Sequence, residues 1–225
     1  MSLFYRMSKN IVKKIINRGT GAGGKNTNIK GKAFEKITNY ETQLLNNGYE
    51  RKIINKTSKN AYYLHKTIEI DGNKYDIDFV QQSGLNFYMK KFYKLEMVRN
   101  PDEAYIITPK SNNQKVIIKI LEKKTQNVEG SVETKLWSSP SLKREYEILL
   151  GNNFIVEYGL CINSFLKQKV CKDNKTKNKT KNYANKCKKY EILNKILEEA
   201  NIDILYGDDN DYLENLTKWI NKMHI

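Results

Sequence analysis

Glu35, Asp102, Glu122 and Lys124 combine three carboxyl groups with one amine at a spacing that could do chemistry. Asp102 precedes one apolar run, Ala104–Thr108, and Glu122 follows another, Val116–Leu121. In an antiparallel hairpin the start of one strand lies beside the end of the next. The two carboxylates, 20 positions apart, can therefore meet. Glu122 and Lys124 are two positions apart, so strand alternation turns both to one face and points Lys123 away. Two carboxylates, with a backbone carbonyl and waters, make a hard oxygen site of the kind Mg²⁺ takes. Such an ion polarises a phosphoryl oxygen and acidifies a bound water. An ammonium beside it positions that water and offsets charge on pentavalent phosphorus. The chemistry such a pattern suits is phosphodiester hydrolysis. Glu35 falls on a helix, beside the apolar stripe and near Thr38, Asn39 and Thr42, within reach of the metal shell directly or through water.

The elements that must position these groups are readable from periodicity. Helix signals run from Lys30 to Asn47, with Phe34, Ile37, Leu44 and Leu45 on one face and Gly48 as a stop. Tyr62–Leu64, Thr67–Ile70 and Tyr75–Val80 read as strands, with Asp71-Gly72 as a hairpin turn. Residues 86–97 look helical, and a polar turn, Pro109–Gln114, separates the two runs of the candidate hairpin. A helix from Pro140 or Ser141 to Leu150, a strand at Phe154–Ile162, a helix from Tyr183 to Ala200 and a strand at Ile202–Tyr206 follow. A last helix buries Tyr212, Leu213, Leu216, Trp219 and Ile220. Strands mixed with helices throughout imply an α/β fold, a mixed sheet flanked by helices. The length suits one domain over 1–225, with a core over about 30–165 and a C-terminal helix-strand-helix over 183–225.

Pro101-Asp102 followed by Glu122-Lys123-Lys124 at the end of an apolar strand resembles the PD-(D/E)xK nuclease motif in order and spacing. Gly31-Lys32-Ala33-Phe34-Glu35 is similar to the helix that carries an additional acid upstream in that superfamily. Arg99 to Ile106, together with Gln126 to Leu136, looks like type II restriction enzymes in particular, and the similarity runs over roughly 19–160. The resemblance implies a restriction-endonuclease-like core. It also implies Asp102 and Glu122 as Mg²⁺ ligands, Lys124 as the catalytic lysine and Glu35 as an auxiliary acid. The activity it implies is site-specific cleavage of double-stranded DNA by a homodimer, with a methyltransferase encoded separately. Two alternatives stay open: a structure-selective or repair nuclease such as a junction resolvase on the same fold, and a non-catalytic basic DNA-binding protein.

Charge points to the same partner. Lys and Arg number 40 against 25 Asp and Glu, a net +15, which favours a polyanion through counterion release. No amphipathic basic helix or lipidation signal favours a membrane surface instead. Seven of those net charges come from the stretch Lys172–Lys189, whose residues 172–182 hold no apolar side chain and read as a mobile loop giving sequence-independent attraction. For DNA contacts, Gln126, Asn127, Ser131 and Lys135 follow the candidate strand immediately, and Lys143 and Arg144 lie on the next helix. A loop held by its own hydrogen bonds is the competing reading of that segment.

Other constellations are weaker. The glycine-rich stretch at 18–28 lacks Walker spacing and reads as a loop. Asp76 and Asp78 have no lysine two residues on and read as exposed strand charges; Asp208, Asp209 and Asp211 read as caps of the last helix. His65 and His224 read as surface histidines. Cys161, Cys171 and Cys187 form neither a zinc pattern nor a disulfide framework, so reduced thiols are expected. With no signal peptide and no run of about 20 apolar residues, a soluble cytoplasmic protein is expected.

Overall fold

The structure is a computed structural model that describes residues 24–222, apart from 57, 60, 112–113, 127–131 and 171–180. Its elements are α1 (Gly24–Ile37), α2 (Glu41–Asn46), β1 (Glu50–Ile53), β2 (Tyr62–Ile70), β3 (Asn73–Gln81), α3 (Gly84–Tyr93), β4 (Glu103–Pro109), β5 (Val116–Lys124), α4 (Val132–Trp137), α5 (Ser139–Leu150), β6 (Phe154–Ile162), α6 (Ser164–Val170), α7 (Lys181–Glu199), β7 (Ile202–Tyr206) and α8 (Tyr212–Asn221). The seven strands form one mixed sheet in sequential order. From β1 to β5 every neighbour is antiparallel; β5–β6 and β6–β7 are parallel. Parallel neighbours need long crossovers, and α4–α5 and α6–α7 supply them.

Strand alternation in β5 feeds a separate core on each side. Ile118 and Ile120 pack with Leu85 and Met89 of α3, Tyr146 of α5 and Leu193 of α7. Ile117 and Leu121 pack with Phe34 of α1, Leu44 of α2 and Trp219 of α8. Burial on both faces explains why the central strands read as continuous apolar runs. Among the described residues no helix is long and apolar enough to cross a membrane.

Several boundaries differ from the sequence reading. The expected helix over 30–47 breaks at Thr38–Tyr40: the Thr38 hydroxyl donates to the Phe34 carbonyl at 2.7 Å, and Asn39 Oδ1 accepts the Glu41 amide at 2.8 Å, which starts α2 on a new axis. Consequently Ile37 and Leu45 are exposed, not buried with Phe34 and Leu44. α1 begins at Gly24, so residues 24–28 of the expected glycine-rich loop are helical; 18–23 lie outside the described residues. Of the lysine-rich loop, 172–180 also lie outside them, while Lys181 and Asn182 open α7. Leu213 is exposed on α8. Asp208 caps α6 rather than α8, accepting from the Ser164 amide at 2.7 Å and hydroxyl at 2.8 Å.

One buried ion pair locks the C-terminal helix to the sheet. Lys119 interrupts the apolar run of β5 and is fully buried. Its ammonium donates to Glu157 Oε2 at 2.7 Å and to the α8 C-terminal carbonyls of Trp219 and Lys222 at 2.7 and 2.5 Å. It also lies 5.3 Å from the centre of the Trp219 ring. All three ammonium protons are thus used, and a cation closes the negative end of a helix dipole. Lys119→Met should therefore cost about 3–5 kcal/mol in urea denaturation, because it leaves Glu157 buried without its partner. Adding Glu157→Leu should recover much of that loss.

Candidate active site

Glu103 pairs with Leu121 and Ala104 with Ile120 across β4 and β5, so the next residue outward, Asp102, comes level with Glu122. Asp102 Oδ2 accepts the Lys123 amide at 2.6 Å. The Lys124 ammonium donates to Glu122 Oε2 at 2.5 Å and reaches Asp102 Oδ2 at 3.4 Å. Three of the four residues singled out from the sequence therefore meet at neighbouring strand ends. Glu122 is buried at 8 % exposure, while Asp102 and Lys124 are half-buried.

Burial pushes the Glu122 carboxyl up; Lys124 opposes that shift and Asp102 adds to it. Burial alone would lower the Lys124 ammonium, but Glu122 and Asp102 outweigh it and hold the amine above its ordinary range. Lys124 therefore stays charged. Two buried phenols, Tyr146 of α5 and Tyr158 of β6, are pushed up by burial and then by the Glu122 charge. Neither hydroxyl has a hydrogen-bond partner among the described residues. Polar capacity beside Glu122 is left unused, which is unusual in a packed interior.

Glu35 enters from α1 on the other side of the sheet edge. Burial and then Asp102 raise its carboxyl, while Lys123, Lys124 and Lys32 pull it down. It joins the trio through charge and makes no hydrogen bond to it. α1 is held in place by the residue between the motif's Glu and Lys. Lys123 points to the opposite face, as alternation requires, and its ammonium donates to Glu103 Oε1 at 2.5 Å and to the Thr38 carbonyl at 2.8 Å. Tyr105 donates to the second Glu103 oxygen at 2.9 Å. Gly207, beyond β7, lets α1 approach: a Cβ there would lie 2.6 Å from Phe34 Cζ and 2.7 Å from Thr38 Cγ2. Glu35 and Asp102 line a cleft of about 340 Å³ together with Lys32 and Lys36 of α1 and with Gln81 and Gln82.

Of the residues expected to contact DNA, the four that are described do not line that cleft. Gln126 is buried, its backbone clamped by the Asn163 side-chain amide, which accepts from its N–H at 3.2 Å and donates to its carbonyl at 2.9 Å. Lys143 donates to the Ala200 and Asn201 carbonyls at 2.8 and 3.3 Å, capping the end of α7. Arg144 pairs with Glu147 at 2.9 Å, and Lys135 is exposed on α4. Asn127 and Ser131 lie outside the described residues. Elsewhere, Asp78 is buried, not exposed: it accepts from Tyr88 at 2.5 Å and bonds Nδ1 of half-buried His65 at 2.7 Å. His224 and Cys171 are outside the described residues, and burial pushes the Cys161 thiol up to about 12, which removes it from nucleophilic chemistry.

No group of three or more His, Cys, Asp or Glu side chains able to hold a metal ion occurs among the described residues. The available donor set is the pair Asp102 and Glu122, hard oxygens suited to a hard cation. Comparison with protein-family models, with curated proteins and with solved structures finds no match to this chain.

Two carboxylates against one ammonium leave a surplus negative charge. The folded-state pKa of Glu122 lies above its unfolded value. The stability it contributes is therefore present at low pH and is lost as pH rises through the folded value. Near neutrality the ionised Glu122 thus weighs against folding, and the Asp102 charge beside it adds to that. Asp102→Asn should raise the melting temperature of the metal-free protein by about 2–4 °C, the size of a ~1 kcal/mol change. Millimolar Mg²⁺ should raise that of the wild type and leave the variant unmoved in differential scanning fluorimetry.

Proposed function

We propose that this chain is a Mg²⁺-dependent, site-specific double-strand DNA endonuclease with a restriction-endonuclease-like core, similar to type II enzymes of the PD-(D/E)xK superfamily. The single observation that carries the reading is the convergence of Asp102, Glu122 and Lys124 at adjacent ends of β4 and β5. The order of elements supports it: a helix bearing Glu35, a hairpin bearing the trio, then a helix and a strand parallel to β5. The donor set and the unpartnered phenol hydroxyls beside it fit a hydrated hard cation.

Asp102 and Glu122 would hold the ion, which when bound supplies polarisation of the phosphoryl oxygen and acidification of water. Lys124, kept charged by its two acids, offsets the negative charge that grows on the phosphate as water attacks in line. Glu35 faces the same cleft and orients water from the α1 side. The water oxygen bonds to phosphorus as the bond to the 3′ oxygen breaks; the attacking water gives up one proton to solvent and the leaving 3′ oxygen takes one from solvent, so the products are a 3′-hydroxyl and a 5′-phosphate. Cutting both strands needs two such sites, so the reading carries a homodimer with it, and a protective methyltransferase encoded elsewhere.

Purified protein with Mg²⁺ should cut unmethylated phage DNA into discrete fragments whose sequenced ends share one short site and carry 5′-phosphates. Asp102→Ala and Lys124→Ala should each lose at least ~100-fold in rate while still binding DNA. A wild type that cuts nothing under Mg²⁺ or Mn²⁺, or a Lys124→Ala variant as active as wild type, would remove the reading.

A further inference from the structure

Beside Glu35 and Asp102, the cleft at the strand ends is lined by side chains to which the proposed chemistry gives no part. Lys32, Glu35, Lys36 and Asn39 fall at i, i+3, i+4 and i+7 of the chain, with the first three on one face of α1, and all four line the cleft. Lys32 and Lys36 are exposed, and neither makes an ion pair among the described residues. The β3–α3 turn presents Gln81 and Gln82 to the same cleft. Gln81 donates to Asn39 Oδ1 at 3.1 Å, tying the turn to the end of α1. Gln82 is exposed, makes no side-chain hydrogen bond among the described residues, and has a left-handed backbone with φ of 47°.

That backbone is costly for a long side chain. Of the other non-glycine residues with this backbone, Asp71 and Asn201, at φ of 50° and 49°, are short residues that tolerate it, and Lys94, at 59°, ends α3, where a left-handed residue is common; glycine would serve best in a plain turn. Gln82 thus presents the C=O and NH2 of its side-chain amide at the cleft, exposed to a group outside the chain. Of the residues expected from the sequence to contact DNA, Lys143 caps α7 and Gln126 is buried.

We infer that duplex DNA is held by α1 and the β3–α3 turn, with Lys32 and Lys36 on backbone phosphates and Gln82 hydrogen-bonding the strand that enters the cleft. This rests on the proposed nuclease reading for its choice of polyanion. Lys32 and Lys36 stand on α1 either side of Glu35 in sequence and line the same cleft as Asp102. Attraction at the flanks offsets the repulsion that Glu35 and Asp102 exert on a phosphate between them.

The test is a fluorescence-anisotropy titration of a labelled 30-base-pair duplex without divalent ions, over a range of salt. Lys32→Ala/Lys36→Ala should lower the slope of log affinity against log salt by about two. Gln82→Gly should weaken binding roughly threefold to tenfold with the slope unchanged, because a neutral contact releases no counterion. Its melting temperature should not fall, since glycine relieves the backbone. Lys135→Ala/Arg144→Ala should change the slope less than the α1 pair. The inference is overturned if the wild type binds no duplex, if the α1 pair leaves the slope intact, if the Lys135/Arg144 pair has the larger effect, or if a matched RNA duplex binds more tightly than DNA. Binding that behaves as expected in a protein that never cuts would sink the nuclease reading and leave this surface standing. Cutting that survives in a protein whose α1 variant binds normally would do the reverse.

Discussion

Glu103 pairs with Leu121, and through that one register β4 and β5 decide which charges meet. Side chains alternate along a strand, so a slip of one residue would carry Glu122 and Lys124 to the opposite face and replace them with Lys123. The register is fixed by burial on both sides: Ile118 and Ile120 belong to one core, Ile117 and Leu121 to the other. No slipped pairing keeps both filled. The backbone contributes directly as well, because the Lys123 amide, just beyond the paired ladder, donates to Asp102. The meeting of Asp102, Glu122 and Lys124 and the packing of the two cores are in this sense the same constraint.

Three buried or half-buried ammonium groups along β5 show how differently one problem can be solved. Lys119 is balanced by Glu157 and two helix-end carbonyls, and Lys123 by Glu103 and the Thr38 carbonyl. Each carries one acid per amine, the arrangement that lets a charge be buried at tolerable cost. Lys124 alone faces two carboxylates. The excess acid sets this trio apart from the two balanced pairs, and it sits where two phenol hydroxyls have no partner among the described residues.

Much of this was legible in the residues. β6 and β7 match the runs Phe154–Ile162 and Ile202–Tyr206, and the turn at Asp71-Gly72 joins β2 to β3, because apolar continuity and turn chemistry are local signals. The trio was legible because alternation and hairpin geometry convert spacing into proximity. β1 was not: Glu50–Ile53 is a mostly exposed edge strand with no apolar alternation to betray it. The short helices α4 and α6 carry too few turns for a periodicity. What a lone lysine does could not be read either. Lys143 and Lys119 differ from Lys32 only in where distant helix ends arrive, which is a tertiary fact. A charge inside the run Val-Ile-Ile-Lys-Ile-Leu was the one available hint for Lys119.

The change from antiparallel to parallel pairing at β5 makes the molecule polar from end to end. β4 begins, and β5 and β6 finish, at the edge that carries Asp102, Glu122 and Lys124. The turn between β4 and β5, and the short connection from α5 into β6, fall at the other edge, a strand's length away. That remote edge is free of the demands placed on the first. A loop lengthened between β4 and β5 would therefore lie a strand's length from Asp102, Glu122 and Lys124.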